Sequence, residues 1–114
     1  MDVVERIKAI VAEHPAVLFM KGTPQFPMCG FSSRAVAALE DAGMSFHAVN
    51  VLEDPEIRAG LPAYANWPTF PQLFVQGELI GGCDIIEELH ASGELARMLS
   101  DNDDLSDNDD ESRS

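Results

Sequence analysis

Cysteine is scarce in this chain. Only Cys29 and Cys83 occur, too few for the disulfide framework of a small secreted domain. Basic residues are scarce too: seven lysines and arginines stand against 20 acids, a formal net charge of −13. Such a surface repels nucleic-acid phosphates and anionic membranes, so neither is expected as a partner. No apolar run approaches the roughly 20 residues that span a bilayer. The opening MDVVERIKAI has acids at 2 and 5 and no long apolar core, so it reads as neither a secretory nor a transit peptide. These absences point to a reducing, cytoplasmic setting in which a free thiol persists.

What is present suffices for one compact domain and not for two: 114 residues, 46% of them hydrophobic. The charge is unevenly spread. Residues 101–114, DNDDLSDNDDESRS, carry seven acids and one arginine around a single large apolar residue, Leu105. Such a segment cannot bury enough surface to order itself. The expected division is a folded unit over residues 1–100 and a disordered acidic tail over 101–114.

Within the folded unit, Val3, Val4, Ile7, Ile10 and Val11 fall on one helical face. AVLFM, 16–20, reads as a buried strand. A loop with Gly22, Pro24 and Pro27 follows. Phe31, Ala35, Ala38, Leu39 and Ala42 then recur at helical spacing over 29–42, and Gly43 is a stop. SFHAVNV, 45–51, is strand-like. Asp54-Pro55 is a good helix start, and that helix runs to about Asn66 with an interruption at Pro62. PQLFV and ELI flank Gln76-Gly77 and read as a hairpin. A last helical region spans 84–99, broken near Gly93. A strand–helix–strand unit followed by a hairpin and a helix gives an α/β fold with one mixed sheet and helices on both faces.

The chemistry centres on KGTPQFPMCGFSSRAVAALE, 21–40. Cys29 stands where a loop gives way to a helix, and Ser32 occupies the position of a second cysteine in a dithiol motif. A free thiol with a pKa near 8.5 is only about 3% thiolate at pH 7. A helix N-terminus favours the anion and lowers that pKa, and Lys21 adds charge on the same rim. Without a local partner, Cys29 forms a mixed disulfide or binds a metal as thiolate. Cys83 is either a distant resolving thiol or a spectator. In WPTFPQLFV, Pro71 directly precedes a strand; it is either an ordinary strand-entry proline or, with a cis bond, one that leaves the Phe70 backbone free to pair with an extended peptide. GGCD, 81–84, gives two glycines, Gly81 and Gly82, for close backbone approach and then helix-start N–H groups that suit a carboxylate. Asp84 either holds an amine or caps the helix. Lys21 and Arg58 would receive a second carboxylate. A small peptide with a carboxylate at each end, one amine and a central thiol fits these parts, and glutathione has those groups. His14, His47 and His90 lack metal-ligand spacing.

KGTPQFPMCGFS, WPTFPQLFV and GGCD, in that order, resemble the monothiol glutaredoxins of the CGFS type over roughly residues 3–99. The resemblance implies a thioredoxin-like fold with a four-stranded mixed sheet and a cis Pro71. It implies that Lys21 and Arg58 contact the glycine-end carboxylate of glutathione, with Thr69 and Phe70 flanking the cysteinyl part. The N–H groups of Cys83 and Asp84 would hold the other carboxylate, and the Asp84 side chain the amine. Cys29 would be the nucleophilic or metal-ligating thiol.

A [2Fe–2S] cluster wants four thiolates. Two chains and two glutathiones would supply them, so the resemblance implies a cluster-bridged homodimer that passes its cluster to apo iron–sulfur acceptor proteins. It implies a BolA-like protein as a partner that replaces one subunit. The competing expectations are a glutathione-dependent oxidoreductase acting on mixed disulfides and an iron-status adaptor. The loop TPQFP, longer in this family than in dithiol relatives, favours weak reductase activity.

Overall fold

The computed structural model describes residues 2–98; the expected acidic tail, 101–114, lies outside the described residues. Helix α1, Val3–Glu13, opens with a capping box in which Asp2 accepts from Glu5 N and the Glu5 carboxylate accepts from Asp2 N. Strand β1, Ala16–Met20, follows at once. Helix α2, Gly30–Asp41, leads to strand β2, His47–Asn50, and a single 3₁₀ turn, Val51–Glu53. Helix α3, Pro55–Ala65, precedes the hairpin of β3, Gln72–Val75, and β4, Glu78–Gly81. Helix α4, Cys83–Ser92, ends at Gly93, and residues 94–98 are again helical.

The sheet order is β2-β1-β3-β4, with β1 and β2 parallel and the other neighbours antiparallel. Parallel pairing of β1 with β2 needs a crossover, which α2 supplies. Every residue of β1 is buried, so AVLFM feeds both faces of the sheet. On one face Leu18, Met20, Ala35, Leu39, Leu73 and Ile86 pack together. On the other, Ile7, Val11, Val17, Phe19, Ile57 and Leu61 do so. Helices α2 and α4 therefore cover one face and α1 and α3 the other, the expected thioredoxin-like mixed sheet. No described helix is long and apolar enough to cross a membrane.

Four details differ from the sequence reading. The strand expected over 45–51 is shorter, because Asn50 diverts the chain: its side chain accepts from Leu52 N at 3.0 Å and starts the 3₁₀ turn. Helix α3 passes through Pro62 without interruption. Ile57 and Leu61 are fully buried beside it, and the Pro62 carbonyl accepts from Trp67 N at 3.0 Å. Phe31 sits on the helix pattern yet is 55% exposed, because that face of α2 looks out beside Cys29 rather than into the core. Val4, placed on the apolar face of α1, is also exposed.

Candidate functional site

The ends of four elements meet at one end of the sheet, beyond the central strands β1 and β3. Lys21 directly follows β1, Cys29 caps α2, Arg58 lies on α3, and Gly82 caps α4. The segment from Thr69 to Pro71 enters β3 through a cis Phe70–Pro71 bond. Between them lies a cleft of about 880 Å³. All nine residues expected from the sequence line it: Lys21, Cys29, Arg58, Thr69, Phe70, Pro71, Gly82, Cys83 and Asp84.

Cys29 is the N-cap of α2, with extended backbone and its carbonyl accepting from Ser33 N at 2.9 Å. Its half-exposed side chain makes no cap hydrogen bond of its own. The thiol pKa is lowered. The N–H of Ser32 is the main cause, helped by the N–H of Phe31, the charge of Lys21 and the Ser32 hydroxyl, while partial burial opposes them. Ser32 itself is fully buried, and its Oγ accepts from Lys21 N at 3.1 Å. A hydroxyl committed to the backbone thus stands where a second thiol would.

The loop after β1 is closed on itself. Met28 N donates to Lys21 O at 2.9 Å, and Thr23 and Phe26 exchange backbone hydrogen bonds at 3.1 and 3.2 Å. Gly22 makes this possible, with φ +96°. A Cβ there would lie 2.5 Å from Phe26 O and 2.6 Å from Met28 N. Asn50 Oδ1 accepts from Gly22 N at 2.9 Å.

On the opposite wall, Gln72 is fully buried, and its Nε2 donates to Trp67 O at 3.0 Å and Thr69 O at 3.2 Å. That fork shapes the turn before Phe70. A Cβ on Gly82 would meet Trp67 Nε1 at 3.2 Å and Pro71 O at 3.3 Å, so the helix start and this turn touch backbone to ring. Helix α4 begins at Gly82 with no side-chain cap, which leaves its first-turn N–H groups facing the cleft without a side-chain acceptor. Asp84 therefore does not cap the helix, and its carboxylate remains available to an amine.

Cys83 is a different thiol. It is buried, and its pKa is raised, first by burial and then by the charge of Glu87, with Arg34 opposing. Cys83, Asp84 and Glu87 bring three potential metal donors within 4.8 Å of one another. Glu87 is already paired with Arg34, however, and the Cys83 environment favours the protonated thiol. Cys29 is the thiol suited to attack or ligation.

Sequence reasoning missed Phe31, Pro62, Trp67, Pro68 and Ile85, which also line the cleft. Trp67 and Pro68 adjoin Thr69 in the WPTF stretch, so the motif carried a signal for them. Phe31 joins exposed Phe26 and Met28 as an apolar rim beside Cys29. Among the histidines, His14 and His47 stack on each other at 3.9 Å between ring centroids, and His90 bonds Asp41; all three lie outside the cleft.

Residues 16–80 match the sequence model of the glutaredoxin family. Glutaredoxin 4 of Pasteurella multocida (strain Pm70) is 55% identical over 101 residues, covering 89% of this chain and 93% of that protein. Monothiol glutaredoxin-S11 of Oryza sativa subsp. japonica is 58% identical over 97 residues, covering 85% of this chain and 20% of that longer protein. A buckwheat glutaredoxin–glutathione complex matches with a TM-score of 0.76 at 27% identity, covering 87% of this chain and 88% of that one.

Proposed function

The chain belongs to the glutaredoxin family as a monothiol member, and on that premise we propose that it carries [2Fe–2S] clusters as cargo to apo iron–sulfur acceptor proteins in the cytoplasm. The observation that carries this reading is the difference between its two thiols: the surroundings of Cys29 favour a thiolate and those of Cys83 do not. One chain then offers one good thiolate, where a [2Fe–2S] cluster needs four. Two copies and two glutathiones complete the set, so the cluster-bound form is a homodimer. A BolA-like protein would take the place of one copy. The apolar rim of Phe26, Met28 and Phe31 supports an approaching chain beside the thiol.

Glutathione fits the cleft group by group. Lys21 and Arg58 receive its glycine-end carboxylate, and the Phe70 backbone its cysteinyl part. The free N–H groups at the start of α4 receive the other carboxylate, and Asp84 the amine. The buckwheat relative whose structure includes glutathione supports the same ligand here.

The lowered Cys29 thiol also favours a second reading, a glutathione-dependent oxidoreductase. The Cys29 thiolate would attack the glutathione sulfur of a protein–glutathione mixed disulfide. A Cys29–glutathione disulfide forms, the original disulfide breaks, and the protein leaves as a thiolate. A second glutathione thiolate then releases Cys29 and departs as glutathione disulfide.

Anaerobic reconstitution with iron, sulfide and glutathione separates the two, with visible absorption and native mass followed together. The carrier reading expects a dimer holding one [2Fe–2S] cluster and two glutathiones, and Cys29→Ser should abolish it with the fold intact. A colourless monomer that turns over mixed disulfides as fast as a dithiol glutaredoxin would replace it with the enzyme reading.

A further inference from the structure

Asn50 lies at the end of β2 and does not line the cleft, yet one of its atoms touches both segments that carry the cleft's cations. Its Oδ1 accepts from Gly22 N at 2.9 Å, directly after Lys21. The same oxygen accepts from Leu52 N at 3.0 Å and sets the 3₁₀ turn. That turn closes through Asp54 N to Val51 O at 3.3 Å, and Asp54 caps α3 by accepting from Ile57 N at 3.2 Å. Arg58 N in turn donates to Asp54 O at 2.9 Å. A short path of hydrogen bonds therefore runs from the backbone behind Lys21 to the backbone behind Arg58, with the Asn50 oxygen as its joint. In the register of the sheet, Asn50 sits opposite Met20, so the joint is built at the last paired position of two parallel strands.

We propose that Asn50 is a positioning residue: through one side-chain oxygen it holds the Lys21 strand end and the turn leading to Arg58 at a fixed separation, and so sets the spacing of the two cations that receive a peptide carboxylate. This rests on the glutathione reading of the cleft and deepens it. Two long, flexible cations recognise one carboxylate well only when their backbones are held at the right separation. Ser32 assists from the other side, since its Oγ accepts from Lys21 N while Asn50 accepts from Gly22 N. Two consecutive N–H groups are thus fixed by side chains from two different elements.

The test compares glutathione with its glycine ethyl ester, in which the relevant carboxylate is masked, by calorimetric titration of the full chain. Asn50→Ala should weaken glutathione about three- to tenfold, the range expected for losing a hydrogen bond of this kind. The ester should bind wild type more weakly than glutathione does, and Asn50→Ala should leave the ester's affinity unchanged. Asn50→Ser is the companion variant, because a serine keeps the turn to Leu52 N while its shorter reach releases Gly22 N; it should match Asn50→Ala in binding. Equal weakening of both ligands, or unchanged glutathione affinity, overturns the proposal. Amide hydrogen exchange gives a ligand-free readout. Faster exchange at Gly22 in both variants, with the β3 and α4 amides unchanged, upholds the joint; unchanged exchange there overturns it. Should wild type bind neither compound, the glutathione reading falls and the exchange result alone decides the role of Asn50.

Discussion

The hydroxyl of Ser32 accepts a hydrogen bond from the backbone N–H of Lys21 at 3.1 Å, with Ser32 fully buried. The position that would hold a resolving cysteine in a dithiol motif is thereby part of the wall that supports the charge beside Cys29.

Ser32→Ala should raise the Cys29 pKa. It removes the hydroxyl that favours the thiolate and frees the backbone that carries Lys21. Leaving a partly buried donor without an acceptor should also cost about 1–3 kcal/mol of stability. The pH profile of Cys29 alkylation reports the first effect and chemical denaturation the second. An unchanged profile with lowered stability would reduce Ser32 to a packing residue.

Cys83→Ser should leave most cluster binding and most Cys29 reactivity in place, because its thiol is buried and its surroundings favour the protonated form. Reconstitution of the variant reads this directly. Complete loss of the visible spectrum would make Cys83 a ligand and break the four-thiolate count.

Stability should fall as pH drops below about 6.5 through His47. Partial desolvation, then the neighbouring His14, lower its pKa from the usual 6.5 in the folded chain, against a smaller opposing effect of Glu13. The unfolded chain takes the proton first as pH falls, so stability is present above 6.5 and lost below it. The carboxylates with lowered pKa, Asp54 and Glu87, start from 3.8 and 4.5 and act further into the acid range. His47→Gln should flatten the upper part of the acid slope in denaturant titrations. A slope that persists unchanged would place the titrating group elsewhere.

Much of the site was legible because its residues mark element ends. A cysteine after a proline-rich loop, a proline before a strand and a glycine pair before a helix each announce a boundary, and in this sheet order those boundaries meet at one end of the sheet. Asn50 was not legible, since nothing local says that its oxygen reaches Gly22. Phe31 was misread for a related reason. Helical spacing says which residues share a face, and only the packed neighbours say whether that face is covered. Pro62 failed as a breaker because the buried Ile57 and Leu61 anchor the helix before it and its own carbonyl accepts from Trp67 N beyond it.

The unblocked starts of α2 and α4 have one more consequence. The chain is a strong polyanion, yet on the glutathione reading its cleft would draw anions through peptide groups fixed in the scaffold as well as through Lys21 and Arg58. Peptide dipoles, unlike ionisable side chains, do not titrate. On that reading the protein keeps a surface that repels other polyanions while the peptide share of its cleft's pull on small ones stays constant across a wide range of pH.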